Sequence, residues 1–191
     1  YVLVNDHGGV IGTATLVFEI SNTGNGPEAF LLTGNPAVAG NDFEVTIDSI
    51  AIDTNGNGQY DAGVDVLLTG PATTPLLAAD EFLTILVNVT LPGGVANGDT
   101  SQVDLRADAV TGTGAPGTVY ANQGEGGVDA IVGSSTASDS ATGGLLVTTL
   151  AVDLVKSAVV VDPFGGTSAV PGSVITYTIT ANVTGSGDVT G

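Results

Sequence analysis

The chain of 191 residues has no cysteine, no methionine and no tryptophan, and its only basic residues are Arg106 and Lys156. Each shortage closes off a class of function. Without Cys there is no disulfide, thiol nucleophile or thiolate metal site. Two cations against 20 acidic residues leave a formal charge of −18. Nucleic-acid binding needs Lys and Arg to displace phosphate counterions, and an anionic membrane surface attracts the same side chains, so neither partner is expected. Nor does any stretch reach the roughly 18 apolar residues that read as a bilayer-spanning helix, so no membrane insertion is expected. What such a surface attracts is cations, and copies of it repel one another unless bound cations or specific contacts offset the charge. With Tyr at position 1 and no Met anywhere, a processed or partial product that has already lost any signal peptide is expected. Extracellular or cell-surface placement goes with that expectation.

What the chain does have favours strands. Hydrophobic residues make up 42% of it, enough to bury a core, and they are mainly Val, Leu, Ile and Ala. The 29 glycines and abundant Thr disfavour long helices, whereas Thr and Val fit a pleated surface. Several segments alternate with period two. In TATLVFEIS the inward set is Ala14, Leu16, Phe18 and Ile20; in FEVTI it is Phe43, Val45 and Ile47. FLTILVNVTL turns Leu83, Ile85, Val87, Val89 and Leu91 inward, and QVDLRADA does so with Val103, Leu105, Ala107 and Ala109. Turn clusters such as TGNGP, LPGGVANGD and TGTGAPG separate the segments. The pattern predicts an all-β, immunoglobulin-like or jelly-roll-like two-sheet sandwich.

The chain also repeats itself. ATLVFEISNTGNGPEA, from Ala14, aligns without gaps on ITYTITANVTGSGDVT, from Ile175, so that Thr23-Gly24 falls on Thr184-Gly185. Leu16, Phe18 and Ile20 then correspond to Tyr177, Ile179 and Ala181, which are expected to face inward in their turn. The unit is about 160 residues, and the chain holds one unit plus the opening of the next. PGSVITYTITANVTGSGD, with DLVKSAVVVDP ahead of it, resembles the start of the immunoglobulin-like "conserved repeat" domains of unknown function found along bacterial surface proteins. The Asn that precedes the Thr-Gly turn in that family is Asn22 in the first copy and is replaced by Val183 in the second. The resemblance implies a β-sandwich with a structural or adhesive surface role and no enzymatic activity.

Two units follow, a sandwich over 1–146 and the leading strands of a following repeat over 147–191. The second copy owns a leading apolar strand, VTTLAVDLVKSAVVV, whose equivalent would fall ahead of Tyr1. A sandwich short of that strand would present an open edge, and an open edge recruits a strand. The expectation is therefore a homopolymer, built head to tail by strand donation into a filament or surface array. A longer tandem array is the other arrangement, and an adhesin or carbohydrate-binding module is the alternative function.

DTNGNGQYDAGVD, residues 53–65, is the one concentration of oxygen ligands. Asp53, Asn55, Asn57, the carbonyl of Gln59 and Asp61 stand at positions one, three, five, seven and nine of an EF-hand-like loop, with Gly58 at six. Position twelve is Val64 rather than Glu, and Asp65 is the nearest substitute. The flanks IDSIAI and VDVLL are strand-like, so the loop resembles the helix-free calcium loops of bacterial surface and cell-wall repeat domains. Ca²⁺ is the expected ion, bound with the low affinity of extracellular modules, about 10⁻⁴–10⁻³ M. The competing reading is a turn built from Asn-Gly steps without an ion.

Other motifs carry less. Asn88-Val89-Thr90 and Asn182-Val183-Thr184 are sequons that could hold covalent glycans, and SSTASDSAT could hold O-linked sugar or form a flexible polar loop. Gly112-Thr-Gly-Ala-Pro-Gly117 satisfies G-x-G-x-x-G, but a dinucleotide site needs a helix after it and Pro116 precedes none. His7, the only His, has no evident orienting partner for a triad, and Asp80-Glu81 reads as a solvated turn.

Overall fold

The computed structural model describes residues 2–6 and 12–185, with side chains over 12–148 and 153–184. Strands dominate, and the only helical element among the described residues is a single 3₁₀ turn at Glu125–Gly127. The chain divides into two compact units between Val147 and Thr148. His7, and the last residues of the repeat alignment beyond Gly185, lie outside the described residues.

The first unit is a two-sheet sandwich. One sheet runs β2 (Thr13–Ser21), β6 (Phe82–Thr90), β4 (Thr46–Ile52), β5 (Val66–Leu68). The other runs β1 (Val2–Asp6), β10 (Ser138–Val161), β7 (Thr100–Ala109), β3 (Phe30–Asn35), with β10 entering through Ser138–Leu146. A small β8 (Val119–Tyr120) and β9 (Ala130–Ile131) pair with each other. The inward sets of the sequence fill the space between the sheets: Leu16, Phe18 and Ile20 meet Ile85, Val87 and Val89 from one side and Val103, Leu105 and Leu145 from the other. Each fully buried Leu, Ile or Val stabilises the fold by about 1.5–3 kcal/mol relative to exposure.

Two local devices make the packing possible. Simple alternation would send Ile47 and Ile50 to opposite faces. A β-bulge between Ile47 and Ser49 resets the phase, so Ile47, Ile50 and Ile52 all reach the core. The strand starts at Thr46, later than FEVTI suggests, although Val45 is buried and Phe43 packs on the core from the preceding turn. At Gly143 of β10 a Cβ would stand 2.9 Å from the ring of Phe18, so only glycine lets the two sheets close there.

The turn after β2 is tied by one side chain. Asn22 is 2% exposed. Its Nδ2 donates to the carbonyls of Gly26 (2.8 Å), Leu77 (3.0 Å) and Ala78 (3.2 Å), and its Oδ1 accepts from the Gly24 N–H at 3.0 Å. Its backbone N–H donates to Glu81 and its carbonyl accepts from Asp80. The amide thus joins the β2 turn to the segment leading into β6, a task needing both a donor and an acceptor.

The second unit is a ribbon. Leu150–Val161 of β10 pairs antiparallel with β11 (Val174–Gly185). Its apolar side chains are exposed on both faces, Tyr177 at 58% and Ile179 at 69%. This corrects the expectation that Tyr177, Ile179 and Ala181 point into a core: two strands alone enclose nothing. The corresponding Leu16, Phe18 and Ile20 are buried because a second sheet lies over them.

Replacing Asn22 by Ala is expected to cost about 2 kcal/mol, since it takes the side-chain partner from the Gly26 carbonyl and the Gly24 N–H, while the Leu77 and Ala78 carbonyls keep the Glu28 and Glu81 N–H groups. Asn22→Asp should cost a similar amount, because a carboxylate cannot donate to those carbonyls. Urea unfolding monitored by circular dichroism measures both, with the m-value unchanged.

Candidate metal centre

The loop 53–65 connects β4 to β5 and is organised by two carboxylates at its base. Asp53 accepts the Gly56 N–H at 2.7 Å through Oδ1 and the Gly58 N–H at 2.9 Å through Oδ2. Asp65 accepts from the Thr54 N–H (2.9 Å) and Thr54 hydroxyl (3.3 Å) on Oδ1 and from the Asp61 N–H (2.7 Å) on Oδ2. Asp65 is buried, and these N–H donors hold its pKa below the usual carboxylate range, with Asp61 the larger contributor. Between the two clamps, Asn55 Oδ1 accepts from the Asn57 N–H and Asn57 Oδ1 from the Gln59 N–H, two successive Asx turns.

The remaining groups meet at one point. Asn55 Nδ2 and Asn57 Nδ2 both donate to Asp61 Oδ2, at 2.8 and 2.6 Å. Of the expected ligands, then, Asn55, Asn57 and Asp61 come together, while Asp53 and Asp65 serve backbone N–H groups. Gln59 is exposed and enters through its N–H. Among the described residues no three His, Cys, Asp or Glu side chains gather in an arrangement that could hold a metal ion. The convergent set is one carboxylate and two amide nitrogens; the amide oxygens, the atoms a hard cation such as Ca²⁺ takes, accept the Asn57 and Gln59 N–H groups instead.

The loop has a second relation to the sheet that alternation did not reveal. Cross-strand pairing aligns Val17, Leu86, Ala51 and Leu67 in one row across the outer face. Leu86 and Ala51 are fully buried although they face away from the core cluster. The loop comes back over this row: a Cβ on Gly58, whose φ is +73°, would lie 3.7 Å from Val17 Cγ2. The traces in the sequence are Val17 and Leu86, apolar residues out of phase within TATLVFEIS and FLTILVNVT.

The other candidates are placed as follows. Asn88 lies in a polar row on the same face, its Oδ1 accepting from Thr15 (2.7 Å) and its Nδ2 donating to Ser49 (2.9 Å), so its amide nitrogen is already engaged. Asn182 is exposed on the ribbon opposite Asp153. SSTASDSAT is only half a loop, because Ser138 onward pairs with β7. Gly112–Gly117 leads into β8 and no helix. Asp80 and Glu81 form a turn in which Glu81 accepts from the Ala78 N–H. No family model, curated protein or solved structure matches the chain.

The pH dependence of the loop follows from Asp65. Its folded-state pKa lies below its unfolded value of about 3.9, so its stabilisation is complete above that value and is lost as pH falls through the folded pKa. Hydrogen exchange should show the Thr54 and Asp61 amides protected at pH 6 and increasingly open below about pH 4, ahead of the core amides. In Asp65→Asn that acid-induced opening should be absent.

Proposed function

We propose that the chain is an extracellular structural repeat protein that assembles head to tail through β-strands into a filament or surface array, with calcium in the 53–65 loop. The observation that carries this reading is the ribbon of Leu150–Val161 and β11, whose Leu154, Val159, Tyr177 and Ile179 are all exposed. A two-stranded ribbon is marginal by itself in water, and an apolar strand pair gains most by joining more strands. Since β11 repeats the pattern of β2, the cover it needs is of the kind that the first unit already contains: a sheet with Leu, Ile and Val facing it. Heterologous contacts between successive units do not close, and therefore propagate.

The charge supports the same reading. At −18, copies repel until pairing or bound cations offset the field. A calcium ion would be held by Asp61 with the amide oxygens of Asn55 and Asn57, which would turn from the backbone N–H groups they now accept, while Asp53 and Asp65 shape the loop around it. Its role would be structural, keeping the loop folded over the Val17–Leu86 row. Of the two sequons, Asn182 is the more accessible to a glycan. The resemblance to bacterial surface repeats favours a mechanical role over an enzymatic one.

Two measurements test the reading. Sedimentation velocity on the full chain should show concentration-dependent assembly, and negative-stain images should show fibres of uniform width; deleting 148–191 should abolish both. A monodisperse full chain at all concentrations rules out self-assembly. Separately, about 10 mM calcium should raise the thermal midpoint by about 5 °C over chelator, the shift expected of a site with millimolar affinity in a chain of this length. Asp61→Ala should remove the shift, and an unchanged wild-type midpoint leaves the loop as a plain turn.

A further inference from the structure

The first unit contains an open groove of about 770 Å³. One wall is the Phe18–Ser21 end of β2, and the facing wall is Ser138–Ala141 of β10. β2 is the terminal strand of its sheet and, among the described residues, pairs with β6 alone. The groove therefore runs beside a strand edge with backbone groups to offer, over a floor formed by Phe18, Ile20 and Leu105.

Its rim is acidic. Glu19, Glu125, Asp129 and Asp139 line it, and neither Arg106 nor Lys156 does. Arg106 is occupied, its guanidinium held bidentately by Asp108 with a closest approach of 2.7 Å. Lys156 makes no ion pair among the described residues; its ammonium stands 4.4 Å from the centre of the Tyr177 ring. Among the described side chains, the one basic group left for another carboxylate thus sits in the middle of the Leu150–Val161 strand, between the exposed apolar residues Val155 and Val159.

We infer that the groove receives the Leu150–Val161 strand of a second copy of the chain, added along the edge of β2 with Lys156 facing the acidic rim. This rests on the strand-mediated assembly proposed above and names its acceptor. Backbone pairing to β2 supplies the affinity, Val155, Val159 and Val161 on the face opposite Lys156 meet the floor, and the charges set direction and register. In a chain this acidic, placing the free cation on the inserted strand also relieves repulsion where two copies approach most closely.

Because the chain has no cysteine, single cysteines report the contact directly. Chains carrying Ser21→Cys, an exposed position in the groove, are mixed under mild oxidation with chains carrying Ala158→Cys, an exposed position on the same face of the strand as Lys156. A mixed disulfide dimer is expected, and adding Lys156→Glu to the second chain should lower its yield about two- to fivefold, the range of an exposed ion pair. Thr33→Cys, exposed on β3, should give none with the same partner. Unchanged circular dichroism establishes that the variants are folded. Equal cross-linking through Thr33, or no mixed dimer in a sample that sedimentation shows to be assembled, overturns the groove as acceptor and leaves strand-mediated assembly standing. A sample that stays monomeric overturns both.

Discussion

A sheet with an apolar face is stable only when something covers that face, and both units of this chain are governed by that requirement. In the first unit the two sheets cover each other, so Leu16 is 2% exposed and Ile85, Val87 and Val103 are fully enclosed. In the second unit the same alternation recurs on β11 without a second sheet, and Tyr177 and Ile179 stand in solvent. The sequence pattern is nearly the same; the surroundings differ. Burial is a property of the pair of faces, and a single strand can specify only one of them.

The contrast explains which parts of the architecture could be read in advance. Period-two alternation located β2, β6 and β7 and their inward residues, because each lies in a sheet with one apolar face toward the core. It misplaced the start of β4, where a bulge changes the phase after Ile47. It gave no warning that Leu86 is enclosed on the outer face, where the returning loop reaches the neighbouring Val17. Asn22 drew notice only through a family resemblance. Its four side-chain hydrogen bonds depend on the approach of Leu77 and Ala78, far away in the chain. The groove between β2 and β10 left no local signal, since its walls are brought together by topology alone.

The 53–65 loop illustrates how spacing and geometry differ as evidence. Spacing gathers Asn55, Asn57 and Asp61, because alternate positions around a tight turn converge. It does not distinguish a side chain that faces the centre from one that closes the backbone. Asp53 and Asp65 do the latter, each accepting N–H groups on both oxygens. A carboxylate so placed shapes the loop whether or not an ion is bound, which is why one sequence pattern serves both a metal site and an ordinary turn.

The same bonds bear on how the molecule ages. An Asn followed by Gly cyclises and deamidates when the glycine nitrogen attacks the preceding side-chain carbonyl, and the loop holds two such steps, Asn55-Gly56 and Asn57-Gly58. Both glycine nitrogens donate to Asp53, at 2.7 and 2.9 Å, which ties down the attacking atoms. A single carboxylate therefore holds the attacking nitrogens of both Asn-Gly steps at once, and covalent damage at either step starts from a loop whose bond to Asp53 has opened.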